Sequence, residues 1–218
     1  MTLKLIGAGL SPFVRKTRVV LAEKGLPYEH EPLTPFGPNP EYRKLHPLGK
    51  IPTLADGERV IPDSSAIVQY LERVKPEPAL FPIDAYGFAR AVWFEEYADT
   101  AVVQAVIPYF QQRVLLPLFM KRAGDEALVA KADSEAIPPV FAYLEQQLGE
   151  NDYLVGNRFS VADIATCSPF VNYQHGGGKV DAGKHPRLAS YVERVHGRPS
   201  FKGLIGEDQG LIASLKRG

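Results

Sequence analysis

The chain has 218 residues, 45% of them hydrophobic and 23% charged, and its 25 basic residues balance 25 acidic ones. Neither sign gathers into a block, which excludes nucleic-acid or membrane-surface binding by bulk charge, and the length allows one or two domains with a sizeable core. A single cysteine, Cys167, rules out a disulfide framework and a CxxC redox pair, and the five histidines show no metal-ligand spacing.

In chain order, "LKLIGAG" reads as a short buried strand ending in glycines. Ser11 then offers an N-cap and Pro12 the first helical position. Phe13, Thr17, Val20, Leu21 and Lys24 fall on one face of this helix, with Gly25 as its C-terminal stop. "YEHEPL" alternates weakly as a second strand, "NPEYRKLHP" is a short helix between prolines, and "IPTLADGERVIP" is a hairpin expected to turn at Asp56-Gly57. "DSSAIVQYLERV" is a capped helix with Ala66, Ile67, Tyr70, Leu71 and Val74 on one side. The order is β-α-β-α-β-β-α over residues 1–75. Within the hairpin, Pro52 cannot donate a ladder hydrogen bond, so it marks either an edge strand or a backbone shaped for another purpose.

"KPEPALFPIDAYG" is rich in proline and predicts a linker over residues 76–86. From 87 to 218 the signals are helical. One long amphipathic pattern runs over "ARAVWFEEYADTAVVQAVIPYFQQRVLLPLF", where Pro108 and Pro117 are expected to kink or break it. A second, over "DEALVAKADSEAIPPVFAYLEQQL", is interrupted by Pro138 and Pro139. "FSVADIATCSPF" and "HPRLASYVERVHGRP" supply two more helices. In the former, Ser160 and Asp163 have capping-box spacing, with Phe159 and Ile164 placed as a hydrophobic staple. Cys167 lies one turn further on and reads as a small buried hydrophobe rather than a nucleophile.

Two motifs invite other readings. "GAGLSP" resembles the start of a dinucleotide-binding GxGxxG, but Pro12 takes the third glycine's place and the later hairpin breaks the parallel continuation. "GKVDAGKH" matches GxxxxGK but ends in His185, where a P-loop needs Ser or Thr, and no strand precedes it. It reads as a loop, and "HGGGK" beside it as a flexible connection.

Taken together, "LSPFVRKTRVVLAEKGLPYE", "LGKIPTL", "DSSAIVQYLE", the proline-rich linker and the "FSVADI" capping box resemble a cytosolic glutathione transferase of the serine type. The likeness extends over nearly the whole chain. It implies an α/β thioredoxin-like N-terminal domain and an all-α C-terminal domain, the glutathione transferase architecture, and a homodimer. It also implies a cis peptide bond at Pro52, turning the Ile51 N–H and C=O toward the cysteine of glutathione as a short antiparallel pairing. Ser64 is matched to the γ-glutamyl carboxylate at a helix N-terminus. Asp63 stands where the family has Glu or Gln, and Lys50 could pair with the glycine carboxylate or be a solvated charge. Plain helix capping would also explain Asp63 and Ser64.

The implied chemistry is activation of the glutathione thiol. With a pKa of about 8.5, only about 3% is thiolate at pH 7, and lowering it by two units needs roughly 2.7 kcal/mol of preferential thiolate binding. A hydroxyl donor at a helix N-terminus can supply this, and Ser11 matches the activating serine of the family; N-capping alone is the other reading. Neither a tyrosine near the end of the first strand nor a cysteine near Ser11 is present, which disfavours a tyrosine-activated transferase and a mixed-disulfide mechanism. The expected reaction is attack of glutathione, as co-substrate, on a small hydrophobic electrophile. A glutathione-dependent isomerase and a non-catalytic interaction module are the alternatives. Phe13, Tyr97, Gln104, Tyr109 and Arg113 are candidates for the electrophile site. No metal, nucleic-acid or membrane partner is expected. No apolar run is long enough to span a bilayer, and "MTLKLIGAGL" is short for a signal peptide, so a cytoplasmic location is expected.

Overall fold

The computed structural model describes residues 2–217. The chain divides into two compact units, the first ending at Phe81 and the second beginning at Pro82. The first contains β1 (Leu3–Ile6), α1 (Pro12–Glu23), β2 (Tyr28–Glu31), α2 (Pro40–Leu45), β3 (Thr53–Asp56), β4 (Arg59–Pro62) and α3 (Ser64–Val74), the order that breaker residues and periodicity predicted. The four strands form one mixed sheet in the order β2-β1-β3-β4, with β2 parallel to β1 and β3 and β4 antiparallel. A doubly wound dinucleotide fold has no such antiparallel half, so "GAG" has another explanation.

The hairpin turns one residue later than expected. Asp56 still pairs with Arg59, so Gly57 and Glu58 make the turn, with Gly57 at φ 59°. Asp56 instead accepts a hydrogen bond from the Tyr70 hydroxyl at 2.6 Å, tying the hairpin to α3. On α1 the core positions are Val14, Val19, Val20 and Leu21, while Phe13 is only half-buried. On α3 they are Ile67, Val68 and Leu71; Ala66 is exposed.

The first six residues of the expected linker are not a free tether. Lys24, 1% exposed at the end of α1, donates to the carbonyls of Lys75 (2.7 Å), Pro76 (3.4 Å) and Pro78 (3.0 Å). It also forms a 2.6 Å ion pair with Glu72, whose carboxylate accepts from the Leu80 and Phe81 amides. An ammonium is tolerated at such depth only when it is surrounded by acceptors, as here.

The second unit is helical throughout its regular structure: α4 (Ala85–Tyr97), α5 (Val103–Phe110), α6 (Glu126–Lys131), α7 (Ile137–Leu148), α8 (Val161–His175), α9 (Pro186–His196) and α10 (Pro199–Arg217). The prolines do not break the long run. Pro108 lies inside α5, and the chain stays helical from 85 to 119 through π-helical stretches at Ala98–Val102 and Gln111–Phe119, the latter holding Pro117. A third stretch, Ala132–Ala136, precedes Pro138 and Pro139 at the start of α7. At Pro117 the wider turn makes room for a ring that would collide with the carbonyl four residues earlier, and Pro138 and Pro139 fall in the first turn of α7, where a missing amide is tolerated.

α8 is buried from Val161 to Tyr173 and contacts α4, α5 and α9. Its start is fixed by the expected capping box, in which the Ser160 amide donates to Asp163 at 2.8 Å. Cys167 is buried. The "HGGG" segment is packed rather than flexible: a Cβ on Gly176 would lie 2.4 Å from the Tyr109 carbonyl carbon, and one on Gly178 would lie 2.1 Å from the Tyr173 ring. Residues 178–185 form a loop ahead of α9.

Candidate functional site

β1 delivers the chain to the start of α1 through Gly7, whose φ of 149° and lack of a side chain are both needed. A Cβ there would lie 2.6 Å from Val14 and 3.1 Å from Ile51, so this glycine lets the first turn of α1 approach the Ile51 backbone segment. Ser11 caps α1 with extended backbone angles (φ −70°, ψ 130°), and its Oγ accepts from the Val14 amide at 3.5 Å. That bond uses a lone pair, and the hydroxyl proton has no acceptor among the described residues. No acidic side chain occupies the first turn, so the positive end of the helix dipole there meets no carboxylate from its own helix.

The Ile51–Pro52 peptide bond is cis, as the resemblance implied. The Pro52 carbonyl accepts from the Asp63 amide at 3.3 Å, linking this segment to the start of α3. The N–H and C=O of Ile51, by contrast, have no hydrogen-bond partner among the described residues, although the residue is 9% exposed. Buried backbone groups are nearly always paired, so an unpaired donor and acceptor on one residue point to a ligand's backbone. The Lys50 side chain is exposed and forms no ion pair among the described residues.

Asp63 caps α3 from a left-handed conformation (φ 75°), its Oδ1 accepting from Ser65 (2.8 Å) and Ala66 (3.3 Å). Ser64, the first residue of α3, is buried. Capping thus accounts for one oxygen of Asp63 and leaves the other and the Ser64 hydroxyl uncommitted among the described residues.

Tyr42, which sequence reasoning passed over, is the strut beneath this segment. Buried on α2, its hydroxyl donates to the Lys50 carbonyl at 2.7 Å and meets the Thr53 hydroxyl at 2.9 Å, so it grips the chain on both sides of Ile51 and Pro52. Its place on the short helix leading into "LGKIPTL" was the available signal.

The candidates on the helical unit fall into separate groups. Tyr97 is half-buried and stacks near Trp93 and Tyr143, at centroid distances of 5.8 and 4.8 Å. Gln104 is exposed and lines a crevice of about 230 Å³ with Pro108, Gln111, Gln112, Lys131 and Glu135. Tyr109 is buried, donates to Asp133 at 2.7 Å, and its burial next to that carboxylate pushes its phenol well up. Arg113 sits 4.7 Å over the Tyr109 ring, pairs with Glu126 at 2.7 Å and donates to the Gly176 carbonyl. Tyr109 and Arg113 therefore form one cluster with the glycine segment, held by partners within their own unit, and Tyr97 and Gln104 stand apart from it. Phe13 lies in the first unit, beside Ser11.

Residues 5–79 match the glutathione S-transferase N-terminal domain and residues 109–206 the C-terminal domain. Glutathione S-transferase Z2 of Arabidopsis thaliana is 30% identical over 212 residues, covering 95% of this chain and 92% of its own. The chain belongs to the glutathione S-transferase family. A transferase structure from Rhodospirillum rubrum F11 matches with a TM-score of 0.84 at 28% identity, covering 93% of this chain and 91% of the other. Another, from Methylobacterium radiotolerans, is 31% identical with a TM-score of 0.76, covers 94% and 95% of the two chains, and holds glutathione sulfonate. The N-terminal match contains Ser11, the Lys50–Pro52 segment, Asp63 and Ser64; the C-terminal match contains Tyr109 and Arg113 but begins after Tyr97 and Gln104. This transferase has a small mixed sheet domain followed by a helical one. Among its described residues no group of three or more His, Cys, Asp or Glu side chains is arranged to hold a metal ion, and no helix is long and apolar enough to cross a membrane.

Proposed function

We propose that this transferase binds glutathione on its N-terminal unit and activates the thiol through Ser11 for attack on a small hydrophobic electrophile. The observation that carries this reading is the pairing of an uncommitted Ser11 hydroxyl proton, at the N-terminus of α1, with the unpaired Ile51 backbone that Gly7 allows alongside it. The Ile51 N–H and C=O pair with the backbone of the ligand's cysteine and aim its sulfur at Ser11. Ser64 and the first turn of α3 take the γ-glutamyl carboxylate, the free oxygen of Asp63 accepts from the ligand's ammonium, and Lys50 meets the glycine carboxylate.

Bound in this way, the thiol gives its proton to solvent, and Ser11 donates to the thiolate without itself attacking. A hydrogen bond to a charged acceptor contributes about 1.5–3 kcal/mol, and the helix terminus adds about 0.3–1 kcal/mol, which together reach the roughly 2.7 kcal/mol that a two-unit depression requires. The thiolate then forms a C–S bond with the electrophilic carbon as the leaving group departs with its electron pair or, for an addition, as the electrons move onto the acceptor. The half-exposed Phe13 ring next to Ser11 offers an apolar surface for that substrate.

A homodimer in the cytoplasm belongs to the same reading. The test compares wild type with Ser11→Ala, by calorimetry with S-methylglutathione and by conjugation rate with a panel of electrophiles. Similar affinities with a rate at least about tenfold lower in the variant are expected, since about 1.4 kcal/mol of thiolate stabilisation corresponds to that factor. Equal rates in the two proteins would remove Ser11 from the chemistry.

A further inference from the structure

Three lysine and arginine side chains lead into the Ile51–Pro52 segment: Arg43 and Lys44 on α2, and Lys50 after the turn that follows it. Lys44 already has a carboxylate, its ammonium lying 2.8 and 2.6 Å from the two oxygens of Glu41. Arg43 instead folds over the turn. Its Nη1 donates to the Pro47 carbonyl at 3.2 Å, and a Cβ on Gly49 would lie 3.0 Å from Cζ and 3.1 Å from Nη2. The guanidinium therefore rests against the chain at Gly49, one residue before Lys50 and two before Ile51. Arg43 is exposed, so a ligand can reach it. Its Nε and Nη2 have no acceptor, and neither Arg43 nor Lys50 has a carboxylate partner, among the described residues.

Strand register connects this guanidinium to the ligand. Antiparallel pairing runs the ligand opposite to the chain. With its cysteine on Ile51, its γ-glutamyl end lies toward Pro52, whose carbonyl is tied to the Asp63 amide at 3.3 Å, and its glycine lies beside Lys50. One further step of about 3.4 Å brings the terminal carboxylate level with Gly49, where the Arg43 guanidinium rests.

We infer that Arg43 receives the glycine carboxylate of glutathione on its Nε–Nη2 edge and makes a free C-terminal carboxylate the preferred end of the ligand. A guanidinium presents two parallel N–H bonds that match a carboxylate, whereas a primary amide offers one oxygen and turns its own donors toward the fork. Lys50 adds a point charge without that geometry, so the two cations have separable effects. Arg43 is thus a binding and specificity-determining residue. The inference rests on the glutathione reading above.

The probes are S-methylglutathione and the same thioether with its glycine carboxylate converted to the primary amide, titrated calorimetrically into wild type, Arg43→Met and Arg43→Lys at low ionic strength. Wild type is expected to bind the acid about thirtyfold tighter than the amide. Arg43→Met is expected to lose about tenfold in affinity for the acid and to bind the amide within about twofold of wild type, leaving the roughly threefold preference that Lys50 alone supplies. Arg43→Lys keeps the charge without the fork and should fall between the two. Equal losses of both ligands in Arg43→Met would mean that Arg43 only braces the turn through Pro47, and would overturn the inference. A wild-type preference no greater than about threefold, which needs no variant to measure, or wild-type affinity for the acid in Arg43→Lys, would overturn it as well. Failure of wild type to bind either thioether would overturn the glutathione reading instead.

Discussion

Asp163 is the residue on which the helical unit most visibly depends, and its replacement gives a quantitative test. Its carboxylate is completely buried and accepts from the Leu154 amide (3.0 Å), the Ser160 amide (2.8 Å), the Ser160 hydroxyl (3.3 Å) and the Tyr191 hydroxyl (2.9 Å). Asp163→Ala leaves three buried donors, the two amides and the Tyr191 hydroxyl, without this acceptor. At about 1–3 kcal/mol each, with some relief by water, the loss is about 3–6 kcal/mol, a large share of the 5–15 kcal/mol typical of a folded protein. Asp163→Asn keeps one oxygen for Leu154 and Tyr191 but turns an NH₂ toward the Ser160 amide, so about 2 kcal/mol is expected. The pH dependence is the sharper part. Burial pushes the carboxyl up to about 6 from its ordinary 3.8, against the pull of its donors. The raised value means that the protonated form is favoured in the folded state. Asp163 therefore contributes most below about pH 4, and that contribution, about 3 kcal/mol, is lost as pH rises through 6. Urea unfolding followed by circular dichroism from pH 4.5 to 8 should show wild type losing stability relative to Asp163→Asn across that window. A constant gap would show that the four donors outweigh burial, and a loss below 1 kcal/mol in Asp163→Ala would refute the capping-box account.

Lys24→Met removes the ammonium that gathers three carbonyls and Glu72, and should cost about 3–5 kcal/mol; limited proteolysis between residues 75 and 82 should accelerate, and unchanged cleavage would show that the segment is held by other means. Gly176→Ala should destabilise by about 1–3 kcal/mol or more, because its Cβ would lie 2.4 Å from the Tyr109 carbonyl carbon; thermal unfolding at the wild-type midpoint would contradict the packed reading of this segment. Tyr42→Phe should cost about 1–2 kcal/mol of stability and, by freeing the Lys50 carbonyl, weaken S-methylglutathione binding severalfold; calorimetry showing unaltered affinity would remove Tyr42 from the support of the site.

The N-terminal unit was legible because its elements are short and bounded by Gly and Pro, and the Ser11, Asp63 and Ser160 caps fell where residue type placed them. The helical unit was read less well for physical reasons. Pro108 and Pro117 look like helix breakers in sequence, but Pro108 is carried inside α5 and Pro117 inside a π-helical stretch whose wider turn makes room for its ring. α10 has a sparse apolar stripe, Phe201, Leu204 and Ile212, and contains Gly203, Gly206 and Gly210, so neither periodicity nor propensity announces it. The glycines of "HGGGK" look flexible, whereas Gly176 and Gly178 are there because Tyr109 and Tyr173 leave no room for a Cβ. At the proposed site, Ser11, Ile51 and Ser64 could be named from short motifs. Tyr42 could not, because its importance lies in what it touches across the turn at residues 46–50, the Lys50 carbonyl and the Thr53 hydroxyl.

The most direct test of thiol activation is the ultraviolet absorbance of the thiolate in the enzyme–glutathione complex, titrated from pH 5 to pH 10 for wild type and Ser11→Ala at saturating ligand. The account predicts a wild-type midpoint about two units below the free-thiol value of about 8.5, and a midpoint at least one unit higher in the variant. Coincident midpoints in the two proteins would contradict it.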